Sequence, residues 1–300
     1  MRLRRCLQVA GVVLVAALTN ACGPVSDPLT PSSAGPIVVG STTSTESKIL
    51  AELYAQALAA RGVPATTKFD LPSREAAMAG LQVGSVSIAP DYGGQLLLSL
   101  DENNPATTAQ EVQSALPAVL PPGLSVLQTS SAADQDAYVM TKALAEKLRV
   151  TSLDDLGRVS GGVILGTPEA VTTLAYGPAG LTQIYGARLT QVKTYENPVG
   201  RAKALRAGRI QLATLRTTEA AIAADDLVVL EDPQAMILPQ HVVPLVRAEV
   251  ADNPTAVAAV AAVQEALTTT DLATLDQQVD EDGRAPGEAA AAWLHTKGLA

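Results

Sequence analysis

Short apolar runs alternate with stretches of helical period along most of this chain. Ile37-Val38-Val39-Gly40 has the apolar density of a buried strand. The next six residues are polar. Within them Thr43 and Glu46 have capping-box spacing, which satisfies orphan N–H groups at a helix start. Ile49, Leu50, Leu53, Tyr54, Ala57 and Leu58 then share one helical face, and Gly62 supplies a stop. The alternation continues with a strand at 65–69, a helix at 73–83 and a strand at 86–89. Further strands are predicted at 124–127, 138–141, 162–165, 191–195, 210–215, 227–230 and 242–246, with helical segments between most of them. The tail from 254 to 299 is mostly Ala-rich helix. Strands alternating with helices predict an α/β architecture with largely parallel sheets.

The N-terminus breaks this pattern. A basic stretch with Arg2, Arg4 and Arg5 precedes an apolar run at positions 7–18 that only Gln8 interrupts. The run is too short to span a bilayer, which takes about 20 apolar residues. It suits the apolar core of a secretory signal. Leu18-Thr19-Asn20-Ala21-Cys22 follows. This resembles the lipobox of bacterial lipoproteins, although Leu is usual where Thr19 stands. Residues 1–21 are thus expected to be a lipoprotein signal peptide, with Cys22 acylated at the new N-terminus. Two acyl chains give the anchoring that one chain cannot. Positions 22–36, rich in Pro, Gly and Ser, read as a flexible tether. Cys6 falls within the signal, so Cys22 is left without an intramolecular disulfide partner.

Composition narrows the function. The chain is 47% hydrophobic and 17% charged, in the range of a globular protein. Its formal charge is −9, and removal of residues 1–21 takes three Arg and no acid, leaving 18 bases against 30 acids, or −12. An acidic chain without a basic stripe is a poor nucleic-acid binder. The same charge opposes attraction to anionic lipid, so the acyl group is expected to hold the protein at the membrane. Catalytic patterns are missing: the two His, His241 and His295, have no metal-ligand neighbours, and no CxxC, HExxH, GxSxG or Walker motif occurs. No cofactor and no metal is expected. Asp154-Asp155, Asp225-Asp226 and Asp280-Glu281-Asp282 read as solvated surface.

Six segments, in order, carry a family resemblance. They are residues 37–62; residues 77–97, with Asp91-Tyr92-Gly93-Gly94-Gln95; Ala137-Tyr138-Val139-Met140 leading to 152–156; Leu215-Arg216-Thr217-Thr218-Glu219; residues 227–239; and the closing stretch 293–299. Together they resemble the osmoprotectant-binding proteins of ABC importers, the ProX/OpuAC type that captures glycine betaine, choline, carnitine and related quaternary amines. The resemblance covers essentially the whole body from 37 to 299. It implies a type II periplasmic-binding-protein fold, with two α/β lobes joined by two hinge crossings. Lobe one would be 37–137 plus 242–300, and lobe two 138–241. It also implies a monomer on the extracytoplasmic side of the cell membrane, working with the permease and ATPase of an importer, without bond chemistry.

The family grips a quaternary ammonium with aromatic faces, each worth about 0.5–2 kcal/mol. By position, Tyr92 and Tyr138 fall on that cage. Ala202 stands where the family has Tyr, and Ile237-Leu238-Pro239-Gln240-His241 where it is rich in aromatics, so the cage is short of at least two rings. Thr42 occupies a place that is often Gln, Thr218 lies where the family favours Thr-Asp, and His241 replaces an aromatic. Thr42, Thr45 and Ser73 can hydrogen-bond a ligand or cap helices. Asp91 precedes Tyr92 at a strand end, where clefts gather ligand contacts. Tyr54 and Trp293 read as packing. The depleted cage leaves open an importer cargo of another kind, a neutral hydroxylated or aromatic molecule. A two-lobe enzyme, with His241 and Asp91 as its acid or base, and a sensor lipoprotein are the alternatives of a different class.

Overall fold

The computed structural model describes residues 35–300. The chain enters strand β1 (Ile37–Thr42) and turns into helix α1 (Thr45–Ala60). The cap of that helix is Ser44, whose side chain accepts from the Ser47 amide, and not Thr43, as the Thr43–Glu46 spacing suggested. Ser47 Oγ in turn accepts from the Thr42 amide at 2.9 Å, closing the turn from both sides. Gly62 ends the helix at φ +75, a left-handed conformation open to glycine without penalty.

The first lobe continues through β2 (Ala65–Leu71), α2 (Arg74–Val83), β3 (Ile88–Tyr92), α3 (Gly93–Leu100), α4 (Ala109–Val119) and β4 (Leu124–Val126). The chain then passes to the second lobe: β5 (Asp136–Thr141), α5 (Lys142–Leu148), β6 (Val163–Thr167), α6 (Pro178–Tyr185), β7 (Leu189–Thr194), α7 (Pro198–Arg206), β8 (Leu212–Arg216), α8 (Ala221–Ala224) and β9 (Leu227–Val229). It returns through β10 (Val242–Arg247) and ends on four helices, α9 (Ala248–Ala251), α10 (Pro254–Ala266), α11 (Thr269–Asp280) and α12 (Pro286–Lys297).

Two five-stranded sheets result, ordered β2-β1-β3-β10-β4 and β7-β6-β8-β5-β9. Each is mixed rather than largely parallel. Three strands run parallel, and the fourth, β10 or β5, is antiparallel to both of its neighbours. The cause is topological. Each antiparallel strand is the one by which the chain enters a lobe from the other, and no βαβ crossover precedes it. Alternation along these strands builds the core. Val242 and Val246 face the cluster around Leu50, Tyr54 and Val260, while Val243 and Leu245 face Leu81, Leu96 and Leu116. In the second lobe Tyr138 and Met140 face Leu165 and Leu181, while Val139 faces Leu205 and Ile210. Helices therefore cover both faces of both sheets.

The two crossings, between β4 and β5 and between β9 and β10, are bonded to each other. The Val242 amide donates to the Ala132 carbonyl at 3.0 Å, and the Asp134 amide to the Gln240 carbonyl at 3.2 Å. The Gln240 amide donates to Gln135 Oε1 at 3.0 Å. Domain hinges are built from a few loop or strand-end residues, and both crossings are of that kind. Among the described residues no helix is long and apolar enough to cross a membrane.

Candidate functional site

A cavity of about 300 Å³ opens between the lobes, beside the crossings. The turn from β1 into α1 supplies Ser44, Thr45 and Glu46, and α11 supplies Asp276 and Asp280 from the same lobe. The end of β8 and the turn after it supply Arg216, Thr218 and Glu219 from the other lobe, and Asp134 comes from the first crossing. Both β1 and β8 present their carboxyl ends, where α/β sheets place ligands.

The lining is acidic. With Glu281 added, six carboxyls face one guanidinium. That guanidinium is already engaged, since Arg216 donates to both carboxylate oxygens of Asp134. Thr218 Oγ1 donates to Asp134 Oδ1 at 3.0 Å, and Thr45 Oγ1 donates to Asp280 Oδ1 at 2.7 Å. Glu46 is different. It is only 7% exposed, and neither of its carboxyl oxygens has a donor. Asp276 Oδ1 is buried without a donor as well. Burial, then the neighbouring Asp134 and Asp276, push the Glu46 carboxyl far above the usual range. Asp276 is raised too, chiefly by burial. Their side chains meet, but two ionised carboxylates are both acceptors. The contact becomes a hydrogen bond only when one of them holds a proton. Burial also raises Glu219, against the pull of Arg201. Such a cleft favours a positively charged occupant.

The sequence matches the family described as the substrate-binding domain of ABC-type glycine betaine transport systems over residues 35–296. The chain belongs to that family. The glycine betaine-binding protein YehZ of Escherichia coli K12 is 27% identical to it over 226 residues, 71% of this chain and 73% of the relative. The solved apo structure of YehZ superposes with a TM-score of 0.76 at 25% identity, covering 89% of this chain and all of that one. A glycine betaine/carnitine/choline ABC transporter structure superposes with a TM-score of 0.78 at 19% identity, covering 88% and 99%. The two-lobe periplasmic-binding fold follows, in a family of proteins that bind substrate for transport.

Within this member, the residues expected at the ligand are scattered. Thr45 and Thr218 line the cavity. Thr42 stands next to it, its hydroxyl 3.4 Å from Ser44 Oγ. Ser73 caps α2, its side chain accepting from the Ala76 amide. Asp91 is held by Arg74, whose Nε and Nη2 lie 2.8–3.0 Å from its oxygens. Tyr92 is partly buried against the core of the first lobe. His241 is a strut between the crossings, Nδ1 lying 3.0 Å from the Ser130 carbonyl. Tyr138 requires a correction. It is 1% exposed, and its hydroxyl donates to the Tyr176 carbonyl at 2.6 Å inside the second lobe. The inward side of β5 is the core side, so its ring packs rather than faces the cleft.

The chain has eight aromatic side chains, and none lines this cavity among the described residues. Sequence reasoning expected a depleted cage and missed what stands in its place. Glu46 read as a capping residue, and Asp280-Glu281 as solvated surface; both stretches line the cavity. Asp276 carried no local signal, because α11 turns inward only once it is packed beside α1.

Proposed function

We propose that this protein captures a quaternary ammonium solute, of the kind its relatives are named for, in the acidic cavity between its lobes and delivers it to an ABC permease and its ATPase. What carries the reading is the excess of carboxyls around the cavity, with its one guanidinium already bound to Asp134. At 4 Å a carboxylate attracts a unit cation by about 4 kcal/mol at an effective dielectric of 20, before desolvation. Desolvation takes back part of that gain, leaving a term of the same order as the contribution of about 0.5–2 kcal/mol from one aromatic face. Charge thus takes over the part the missing rings would have played. A neutral hydroxylated cargo can hydrogen-bond these carboxyls but gains none of their charge attraction, and the family does not favour it. The family gives no support to an enzyme or a sensor.

The lobe boundaries belong to the same proposal: 37–137 with 242–300, and 138–241, closing about the paired crossings when cargo touches both sides. The two separate sheets and the bonded ribbon support it. The placement of the protein as a monomer outside the membrane, tethered through Cys22, is part of the same proposal. The signal pattern at 1–21 supports that placement; those positions and Cys22 lie outside the described residues.

Calorimetry with choline, glycine betaine, carnitine and the uncharged choline isostere 3,3-dimethylbutanol tests the reading. Binding of the charged solutes and none of the isostere is expected. Equal binding of choline and isostere would remove the electrostatic basis. Distance labels, one per lobe, should approach each other at saturating choline, and an unchanged distance would count against closure.

A further inference from the structure

The cavity contains a charge problem that its own side chains leave open. Glu46 is buried in the first turn of α1, and both of its carboxyl oxygens lack a donor. Asp276 meets it from α11 with Oδ1 buried and equally unserved. Buried polar groups in native proteins are satisfied with few exceptions. Asp134 from the crossing and Asp280 from α11 add negative charge toward the pair. Arg216 from β8 is the cation facing it, and its Nε and Nη2 are committed to Asp134. The amide end of α1 favours an anion at Glu46, but that effect is small beside burial. One proton between the two carboxyls supplies the missing donor, and burial with the surrounding acids holds both groups toward the protonated form.

We propose that Glu46 and Asp276 share one proton before cargo arrives, and that a cationic ammonium entering the cavity takes the place of that proton. The O–H bond of the carboxyl breaks, the proton passes to solvent, and the cargo's positive charge balances the second carboxylate without forming a covalent bond. Capture is then an exchange of one cation for another. This inference rests on the cavity being the cargo site. It makes affinity rise with pH, and it ranks cargo by charge. A monocationic ammonium with a free hydroxyl donor is favoured over a zwitterion, whose own carboxylate would meet Asp134, Asp280 and Glu219 and would find Arg216 already paired.

The test is calorimetric titration of the purified protein with choline chloride, and in parallel with glycine betaine, in two buffers of different ionisation enthalpy. At about pH 6 wild type should release about one proton per choline bound, and its apparent Kd should fall by up to about tenfold per pH unit below the transition of the pair. Glu46→Gln removes the shared proton while keeping the side-chain shape, so it should bind choline with no proton release and a flat pH profile. Asp276→Asn should do the same and guards against a folding defect in the first variant. Choline binding to wild type without proton release and without pH dependence would overturn the exchange and leave the cargo site standing. Failure of both solutes to bind, or a Glu46→Lys variant that binds choline as wild type does, would overturn the cargo site and the exchange together.

Discussion

Arg216 Nε lies 2.8 Å from each carboxylate oxygen of Asp134, and its Nη2 reaches the carbonyl of the same residue at 3.1 Å. One residue ends β8, and the other sits in the crossing that leaves the first lobe. The bond therefore sets where the second sheet stands relative to the hinge. Thr217 adds to it, Oγ1 donating to the Ala133 carbonyl at 2.8 Å. Asp134 is 8% exposed, so its charge depends on this partner. Arg216→Met should lower stability by about 1–3 kcal/mol, toward the lower end because the arginine is itself half exposed to water. Urea denaturation measures the loss. Asp134→Asn in the Arg216→Met background should recover part of it, because the uncompensated charge is then gone. An unchanged midpoint in the single variant would mean that water serves Asp134 equally well.

Tyr54 makes a different kind of joint. Its hydroxyl donates to Gln264 Oε1 at 2.8 Å in the core, and Gln264 Nε2 donates to the Gln128 and Val242 carbonyls, each at 2.9 Å. One buried amide thus ties α1, α10, β10 and the start of the first crossing together. Tyr54→Phe keeps the ring but leaves Oε1 without a donor, and should cost about 1–3 kcal/mol. Tyr54→Ala also opens a cavity, and should cost about 3–5 kcal/mol. Thermal melts of the two variants should fall in that order. If Tyr54→Phe melts with wild type, the hydrogen bond contributes nothing net.

These two joints show what a sequence can and cannot disclose. The period of Ile49, Leu50, Leu53, Tyr54, Ala57 and Leu58 places them on the buried face of α1, and all six are core. Every predicted strand is present, with ends shifted by a few residues. Glycines at 93 and 94 read only as part of a loop motif. In the structure a Cβ on Gly94 would lie 2.6 Å from the Pro239 carbonyl, so the returning crossing packs directly on its backbone. That contact spans more than 140 positions and has no local trace. The site was less legible for the same reason. Tyr138 matched an aromatic position, but strand parity turned it inward. Glu46, Asp134, Asp276 and Glu219 come from four separate stretches, and only folding makes them one cavity.

The proposed anchor has its own test. If Cys22 carries the lipid, Cys22→Ser should move the protein from the membrane fraction to the soluble fraction or the medium. The body, acidic at −12 after removal of the signal, offers no electrostatic substitute on an anionic bilayer. Fractionation of cells expressing each form, followed by immunoblot, reads the distribution. Retention of the serine form on membranes to the wild-type extent would exclude lipid at Cys22 as the tether.

The carboxyl pair at the cavity also predicts how stability varies with pH without any cargo. Burial raises Asp276 from an ordinary 3.8 to about 7 and lifts Glu46 from an ordinary 4.5 as well. Below the ordinary values the folded and unfolded chains both hold these protons, and the pair costs nothing. As pH rises through that range the unfolded chain releases both protons, while the folded pair keeps the one it shares. Stability should therefore decline from about pH 4.5 to at least pH 7, by at most about 1.4 kcal/mol per pH unit for each proton withheld. Glu111 acts in the opposite sense. Hydrogen bonds from the Thr107 and Thr108 amides and hydroxyls lower it to about 2. Its contribution is present above 4.5 and is lost as pH falls toward 2. The two effects leave a maximum near the ordinary carboxyl range. Urea midpoints measured from pH 3 to pH 8 should show both limbs. Glu46→Gln should flatten the limb above the maximum and leave the acid limb in place, because an amide donates to Asp276 without carrying a proton of its own to lose. Glu111→Gln should do the reverse. A wild-type profile that keeps rising from pH 5 to pH 8 would mean that the pair ionises freely in the folded protein, and that water reaches Glu46 despite its burial.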